Sequence, residues 1–253
     1  MCKIISIHSF RGGVGKSNVT ANLAVMLARY GYRVGIVDSD IQSPGIHVIF
    51  GLDEKKMKNS LNDYLWGKCS IKEAAYDVSY LLDKKANKNS KIYLIPSSIK
   101  TGDITRILRE GFSFDSLNQG FQDLINILKL DYLFIDTHPG LNEETLLSLV
   151  ISDILLIILR PDSQDFQGTA VTVEVARRLN VPHILLVINK VLPNLDFKDL
   201  RQKVEETFNV TVAGILPLAN EMVQLGSSDI FCLRYPKHPI TREIENMAKQ
   251  IIN

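Results

Sequence analysis

Cysteine is scarce in this chain. Only Cys2, Cys69 and Cys232 occur, far apart and without a C-x-x-C pair, so the sequence provides neither a disulfide framework nor a thiolate metal site. That usage fits a reducing compartment, and a cytoplasmic protein is expected. An excess of charge of either sign is lacking too: 29 Lys and Arg face 28 Asp and Glu. Whole-chain electrostatics therefore argues for neither nucleic acid nor an anionic membrane surface as partner, and any such contact has to come from a local patch. Long apolar runs are also missing. Ile154–Leu159 and Ile184–Ile188 fall far short of the roughly 20 residues that cross a bilayer, and they read instead as buried parallel strands. The first apolar stretch ends at His8 and Ser9, too soon for a secretory signal core, so export is not expected.

What the sequence does have is alternation. Short apolar runs at Lys3–His8, Arg33–Asp38, Lys91–Ile95, Asp131–Asp136, Asp153–Leu159, His183–Asn189 and Thr211–Leu216 read as strands. Helical periodicity fills Ser17–Tyr30, Asp115–Lys129, Asn142–Ile151, Asp165–Leu179 and Asp196–Phe208, and Gly31 stands where the first of these should stop. Strands alternating with helices predict an α/β fold, a mostly parallel twisted sheet with helices on both faces, whose right-handed crossovers collect the loops after the strands on one edge. The length suits one domain, taken as residues 1–253. Asp83–Lys91, rich in lysine, reads as an exposed connection. Ile240, Ile244, Met247, Ala248 and Ile251 form one apolar stripe at helical spacing, which reads as a core-packing helix rather than a membrane anchor.

The chemistry lies after the first strand, in Phe10-Arg11-Gly12-Gly13-Val14-Gly15-Lys16-Ser17, with a helix following at once. In a phosphate loop, glycines let backbone N–H groups face phosphate oxygens, the helix start adds positive potential, a lysine reaches the β- and γ-phosphates, and a Ser or Thr binds Mg²⁺. Gly13, Gly15, Lys16 and Ser17 supply those parts in order, while Phe10 stands where the generic pattern has its first glycine. Two other readings exist: a ligand-free glycine turn, and a dinucleotide fingerprint built on Gly13, Gly15 and Asp38. In the second, Asn18 replaces the third glycine and Lys16 and Ser17 have no task.

Arg11 to Ser17 (RGGVGKS), Val34 to Asp40 (VGIVDSD), Tyr132 to Asp136 (YLFID) and Val187 to Lys190 (VINK), in this order and spacing, resemble the deviant Walker A family of MinD, ParA and Mrp-type P-loop ATPases over nearly the whole chain. The resemblance implies Mg²⁺ and ATP as ligands, a cradle from Gly12, Gly13, Val14, Gly15, Lys16, Ser17 and Asn18, and an ATP-dependent homodimer with the nucleotide sandwiched between subunits. It further implies that Asp40 orients or activates water, that Asp38 supports Lys16 and the metal shell, and that Asp136 and Ser17 hold Mg²⁺. The family's signature lysine, which reaches the partner's nucleotide, is Arg11 here. Asn189 resembles the family's adenine contact and Pro217 the second wall of the base site. Leu192 stands where a guanine-reading N-K-x-D motif would carry its aspartate, which argues for ATP over GTP.

His138 follows Asp136 by two residues, in the place of a switch loop, and reads as a plain loop histidine rather than a γ-phosphate contact. An iron-protein reading would need bridging cysteines in Pro96–Gly102 or Thr137–Gly140, and there are none. The expected function is an ATPase switch that positions, partitions or regulates a cellular cargo, working with an activating or adaptor protein. The alternative is an ATP-dependent metabolic enzyme on the same fold, a dethiobiotin synthetase-like ligase or a small-molecule kinase. Non-specific DNA is the other partner considered, through Arg177, Arg178, Lys198, Arg201, Lys203, Arg234 and Lys237.

Overall fold

A computed structural model describes residues 2–82, 87 and 89–252. The connection expected at Asp83–Lys91 thus falls largely outside the described residues. In chain order, β1 (Lys3–His8) leads through the glycine-rich turn into α1 (Lys16–Arg29) and β2 (Arg33–Asp38). Two short helices, α2 (Ile46–Ile49) and α3 (Leu61–Leu65), precede β3 (Tyr76–Asp77) and β4 (Lys91–Ile95). Next come α4 (Thr101–Glu110), α5 (Phe114–Leu128), β5 (Tyr132–Asp136), α6 (Glu143–Val150), β6 (Ile154–Leu159) and α7 (Ser163–Arg178). The chain continues through β7 (His183–Val191), α8 (Phe197–Phe208), β8 (Val212–Pro217), α9 (Asn220–Leu225), α10 (Phe231–Arg234) and α11 (Pro239–Ile252).

The sheet runs β3-β4-β2-β5-β1-β6-β7-β8, parallel throughout except for the two-residue edge strand β3. Parallel strands covered on both faces must be apolar at successive positions, and in β6 (ILLIIL) every residue is buried. Alternate residues serve opposite faces. On one face, Ile5, Ile7, Val34, Ile36 and Phe134 pack with Leu23 and Leu27 of α1 and with Ile240, Ile244, Met247, Ala248 and Ile251 of α11. The C-terminal stripe is therefore core. On the other face, Val37, Leu133 and Ile135 meet Leu117, Phe121 and Leu124 of α5, while Leu155, Leu186 and Ile188 meet Val173 of α7 and Val204 of α8.

Two strands shown by the structure differ from the sequence expectation at their ends. β7 continues to Val191 and β8 to Pro217, because Val191 pairs with Pro217 beyond an irregularity in the β7–β8 register. Helices α2 to α4 and strand β3 lie in a stretch where the sequence predicts no element. Helices α2 and α3 are only four and five residues long, and α3 is closed by a reciprocal capping box of Ser60 and Asp63.

The order of strands decides where the site is. From β1 the chain first builds toward β2 and β4, then returns through β5 and crosses to β6, so the direction of growth reverses beside β1. Loops that follow β1, β2 and β5 diverge there and leave a crevice at the carboxyl edge.

Candidate functional site

That crevice is a cavity of about 800 Å³, lined among others by Gly12, Gly13, Gly15, Lys16, Ser17, Asn18, Asp40, His138, Asn189 and Pro217. Its floor is the turn between β1 and α1. Gly13 and Gly15 have φ of 75° and 100°, the left-handed region that glycine enters without steric cost. At Gly15 a Cβ would also come within 2.5 Å of Asn189 Nδ2. Gly15 precedes α1 as its N-cap, with no side-chain cap and no acidic residue in the helix's first turn. Its first N–H groups and the positive end of its dipole thus face the cavity without a protein anion to satisfy them. Phe10, in place of the generic first glycine, packs its ring against Gly168 of α7, where a Cβ would collide with it.

Around this turn sits an excess of buried acid. Lys16, Asp38, Asp40 and Asp136 are all buried, three carboxyls against one ammonium. Asp38 and Asp136 are register partners on β2 and β5. Burial, with Asp136 and Asp40 adding repulsion, pushes the Asp38 carboxyl well above the usual carboxylate range. Burial also raises Asp136, opposed by Lys16 and by hydrogen bonds from Ser17 and Thr20; Thr20 Oγ1 donates to Asp136 Oδ1 at 3.1 Å. Hard oxygen donors under uncompensated negative potential fit Mg²⁺. No group of three or more His, Cys, Asp or Glu shaped for a metal ion occurs among the described residues. Ser17 and the Asp136 side would supply the protein's share, with water and phosphate oxygens supplying the rest. The cation's chemistry there would be to neutralise charge on phosphate oxygens.

The comparisons with known proteins agree with this geometry. Residues 2–182 match the AAA domain family. The flagellum site-determining protein YlxH of Helicobacter pylori is 31% identical over 225 residues, covering 89% of this chain and 69% of that protein. The chain belongs to the MinD/ParA family of P-loop ATPases. An ATP-binding protein of Methanocaldococcus jannaschii is 28% identical over 254 residues, covering 100% of this chain and 88% of its own length. The septum site-determining protein MinD of Pyrococcus horikoshii OT3, complexed with Mg-ADP, shares the fold with a TM-score of 0.81 at 21% identity, over 99% of this chain and 96% of that one.

Within this MinD/ParA chain the site residues expected from sequence do not all reach the cavity. Val14 turns its side chain into the core, and its carbonyl accepts from Asn189 Nδ2 at 2.8 Å. The other end of that amide, Oδ1, accepts from Lys190 N, and Lys190 Nζ donates to Gly13 O at 2.7 Å, so the end of β7 braces the phosphate turn. Asn18 donates to Ser227 Oγ at 3.0 Å. Spacing places Asp38 and Asp40 on the same side of an extended segment. The strand instead ends at Asp38, whose carboxylate accepts from the N–H groups of Asp40 and Gly45 and shapes the following loop, while Asp40 lines the cavity.

Arg11 does not line the cavity. Its guanidinium lies 3.4 Å from Asp165 and 3.7 Å from Asp162 at the start of α7, and Arg160 Nε also donates to Asp165 at 2.9 Å. Of the basic residues considered for DNA, Arg177 donates to the carbonyls of Phe208 and Asn209, and Arg178, Arg201 and Lys203 pair with Glu174, Glu205 and Asp199. Nothing in the sequence signals Lys190 as a brace, and His138, expected as a plain loop histidine, has its Nδ1 2.7 Å from Asp40 Oδ1.

His8, at the end of β1, is fully buried beneath the turn. The Thr137 hydroxyl donates its one proton to Ile7 O, so the 2.9 Å contact between His8 Nδ1 and Thr137 Oγ1 has the imidazole as donor. Nε2 then carries a lone pair, and it has no partner. Burial, with Lys16 and His138 nearby, lowers the His8 pKa to about 3. Because the unfolded chain takes that proton near pH 6.5, it binds more protons than the native state between those values. The resulting stability is present above pH 6.5 and is lost as pH falls toward 3. Urea titrations at pH 7, 6 and 5 should show wild type losing up to about 1.4 kcal/mol per pH unit more than His8→Asn in this window. Parallel curves would mean that His8 is not held neutral.

Proposed function

We propose that this chain binds Mg-ATP, hydrolyses it, and uses the ATP-bound state to form a homodimer that positions or partitions a cellular cargo. The observation that supports this most is the joining of an uncapped, glycine-turned helix start and its buried lysine to a carboxylate, Asp40, at the cavity wall. On this reading Gly12 to Asn18 cradle the phosphates, and Ser17, Asp136 and Asp38 serve the Mg²⁺ shell. Asp40 orients the attacking water. Asn189, whose Nδ2 carries a second N–H, and Pro217 flank adenine at the end of the cavity where Leu216, Leu218, Ala219 and Met222 make the lining apolar. Residues 1–253 act as one unit, in the cytoplasm, with an adaptor or activating protein. No helix among the described residues is long and apolar enough to cross a membrane. The names of its relatives, flagellum and septum site-determining proteins, support positioning as the task.

Asp40→Ala tests the switch. Removing a group that orients water but holds no phosphate should leave ATP bound and unhydrolysed, so light scattering with Mg-ATP should give twice the 28.4 kDa chain mass. With ADP it should give the monomer mass. A variant that turns over ATP at the wild-type rate, or stays monomeric with ATP bound, would sink this reading.

A further inference from the structure

The loop after β5 is pinned on both sides of His138. Thr137 donates through N and Oγ1 to Ile7 O, at 3.2 and 2.9 Å, and Gly140 N donates to Ser9 O at 3.0 Å. Pro139 sits over Gly12. The ring is therefore set by the same backbone that carries the phosphate turn. Nδ1 faces Asp40 Oδ1 at 2.7 Å, and that oxygen also accepts from Ser43 N at 3.1 Å. Asp40 Oδ1 already serves as an acceptor there, and an Nδ1–H on His138 completes the contact as its donor.

Five other titratable groups surround this pair: Asp38 and Asp136, whose carboxyls Asp40 helps to raise, and Glu144, Lys16 and His8. Glu144, on α6, has an Oε2 that is buried without a hydrogen-bond partner. Burial raises its carboxyl, Asp40 raises it further, and His138 draws it down. Lys16 and His8 lie on the β1 and α1 side. Nothing in a plain loop histidine calls for this placement, and a contact of 2.7 Å inside the cavity holds the one carboxylate among the described residues that lines it.

We infer that His138 is a positioning residue for ATP hydrolysis, donating Nδ1–H to Asp40 so that this side chain stays aimed at the attacking water. The inference rests on the reading of Asp40 given above. Attack of the water oxygen on the γ-phosphorus forms one P–O bond and breaks the bond to the bridging oxygen, whose electron pair stays on ADP. The water proton is taken by Asp40 and returned to the phosphate product. His138 makes and breaks no bond in this step; it sets the direction of the group that does.

The test combines three readouts on the full chain: single-turnover hydrolysis of bound ATP, affinity for a fluorescent ATP analogue, and long-range ¹H–¹⁵N spectra of the histidine rings without nucleotide. His138→Ala should slow hydrolysis by roughly 10- to 100-fold, the worth of one hydrogen bond to a charged group, while affinity stays within about threefold. His138→Asn, whose Nδ2 can donate from nearly the same place, should recover most of the loss. In the Asp40→Ala background, His138→Ala should cost nothing more. The spectra, assigned with His138→Asn, should show His138 protonated on Nδ1 and its signals moved by Asp40→Asn.

Wild-type hydrolysis by His138→Ala beside an inactive Asp40→Ala would overturn the inference and leave the Asp40 reading standing. An asparagine variant as slow as the alanine one would overturn it as well. Wild-type hydrolysis by Asp40→Ala, or none by the unaltered chain, would overturn both. If the alanine variant does not fold, the spectra of wild type and Asp40→Asn still decide, because a ring unprotonated at Nδ1 or indifferent to Asp40 has no such role.

Discussion

Lys16→Ala is expected to weaken Mg-ATP binding by about 10²- to 10⁴-fold, because two charge-assisted hydrogen bonds to phosphate are worth about 1.5–3 kcal/mol each. The lysine is buried at the first position of α1 and points its charge into a place where Asp38, Asp40 and Asp136 are also buried. Its ammonium already opposes the raised Asp136 carboxyl. Removing it leaves three buried acids without the buried ammonium that offsets them, so an incoming triphosphate would meet net repulsion as well as lose its contacts. No large apolar side chain is lost, and the fold should survive. Titration with a fluorescent ATP analogue, alongside circular dichroism, separates the two effects. Wild-type affinity in a folded Lys16→Ala protein would refute the phosphate-loop assignment.

Arg11→Ala is expected to bind ATP nearly as wild type does, yet to fail in dimerisation and turnover. In the single chain Arg11 lies beside Asp165 and Asp162, outside the cavity, with its side chain 40% exposed. A half-exposed pair of this kind holds by only about 0–1 kcal/mol. Asp165 would not be stranded by its departure, since Arg160 donates to it through both N and Nε. Arg11 is thus free in energetic terms to swing toward a partner subunit's phosphates, where a planar fork engages two oxygens at once. Arginine fingers supply about 10³- to 10⁵-fold in rate in other nucleotide hydrolases, an upper guide here. Mixing Arg11→Ala with Lys16→Ala gives dimers in which an intact arginine faces an intact phosphate loop. Recovered turnover in the mixture supports action across the interface, and wild-type dimerisation and turnover by Arg11→Ala alone would remove Arg11 from the mechanism.

The two variants draw on different parts of the record. Lys16 and Ser17 are legible in sequence because a phosphate loop is a local object: strand, glycine turn, lysine, hydroxyl and helix are contiguous, and each residue type is demanded by backbone conformation or charge. The seven parallel strands are legible for a similar reason, since burial on both faces forces unbroken apolar runs such as ILLIIL. Helices α2 and α3 are not legible, because at four and five residues they are too short to show a period. The direction of Asp38 also escaped, since alternation along a strand says nothing once the strand ends at that residue and backbone N–H groups capture its carboxylate.

What the sequence by itself determined is thus the α/β class, the family and the residues of the phosphate turn, all matters of short-range pattern. The tertiary structure alone decided which distant groups meet: Asn189 on the Val14 carbonyl across 175 positions, Arg11 beside Asp165 across 154, and His138 on Asp40 across 98. These meetings depend on strand order, on register and on loop lengths, which set distances to a fraction of an ångström. Hydrogen bonds and ion pairs are decided at that scale, and residue spacing along the chain does not reach it.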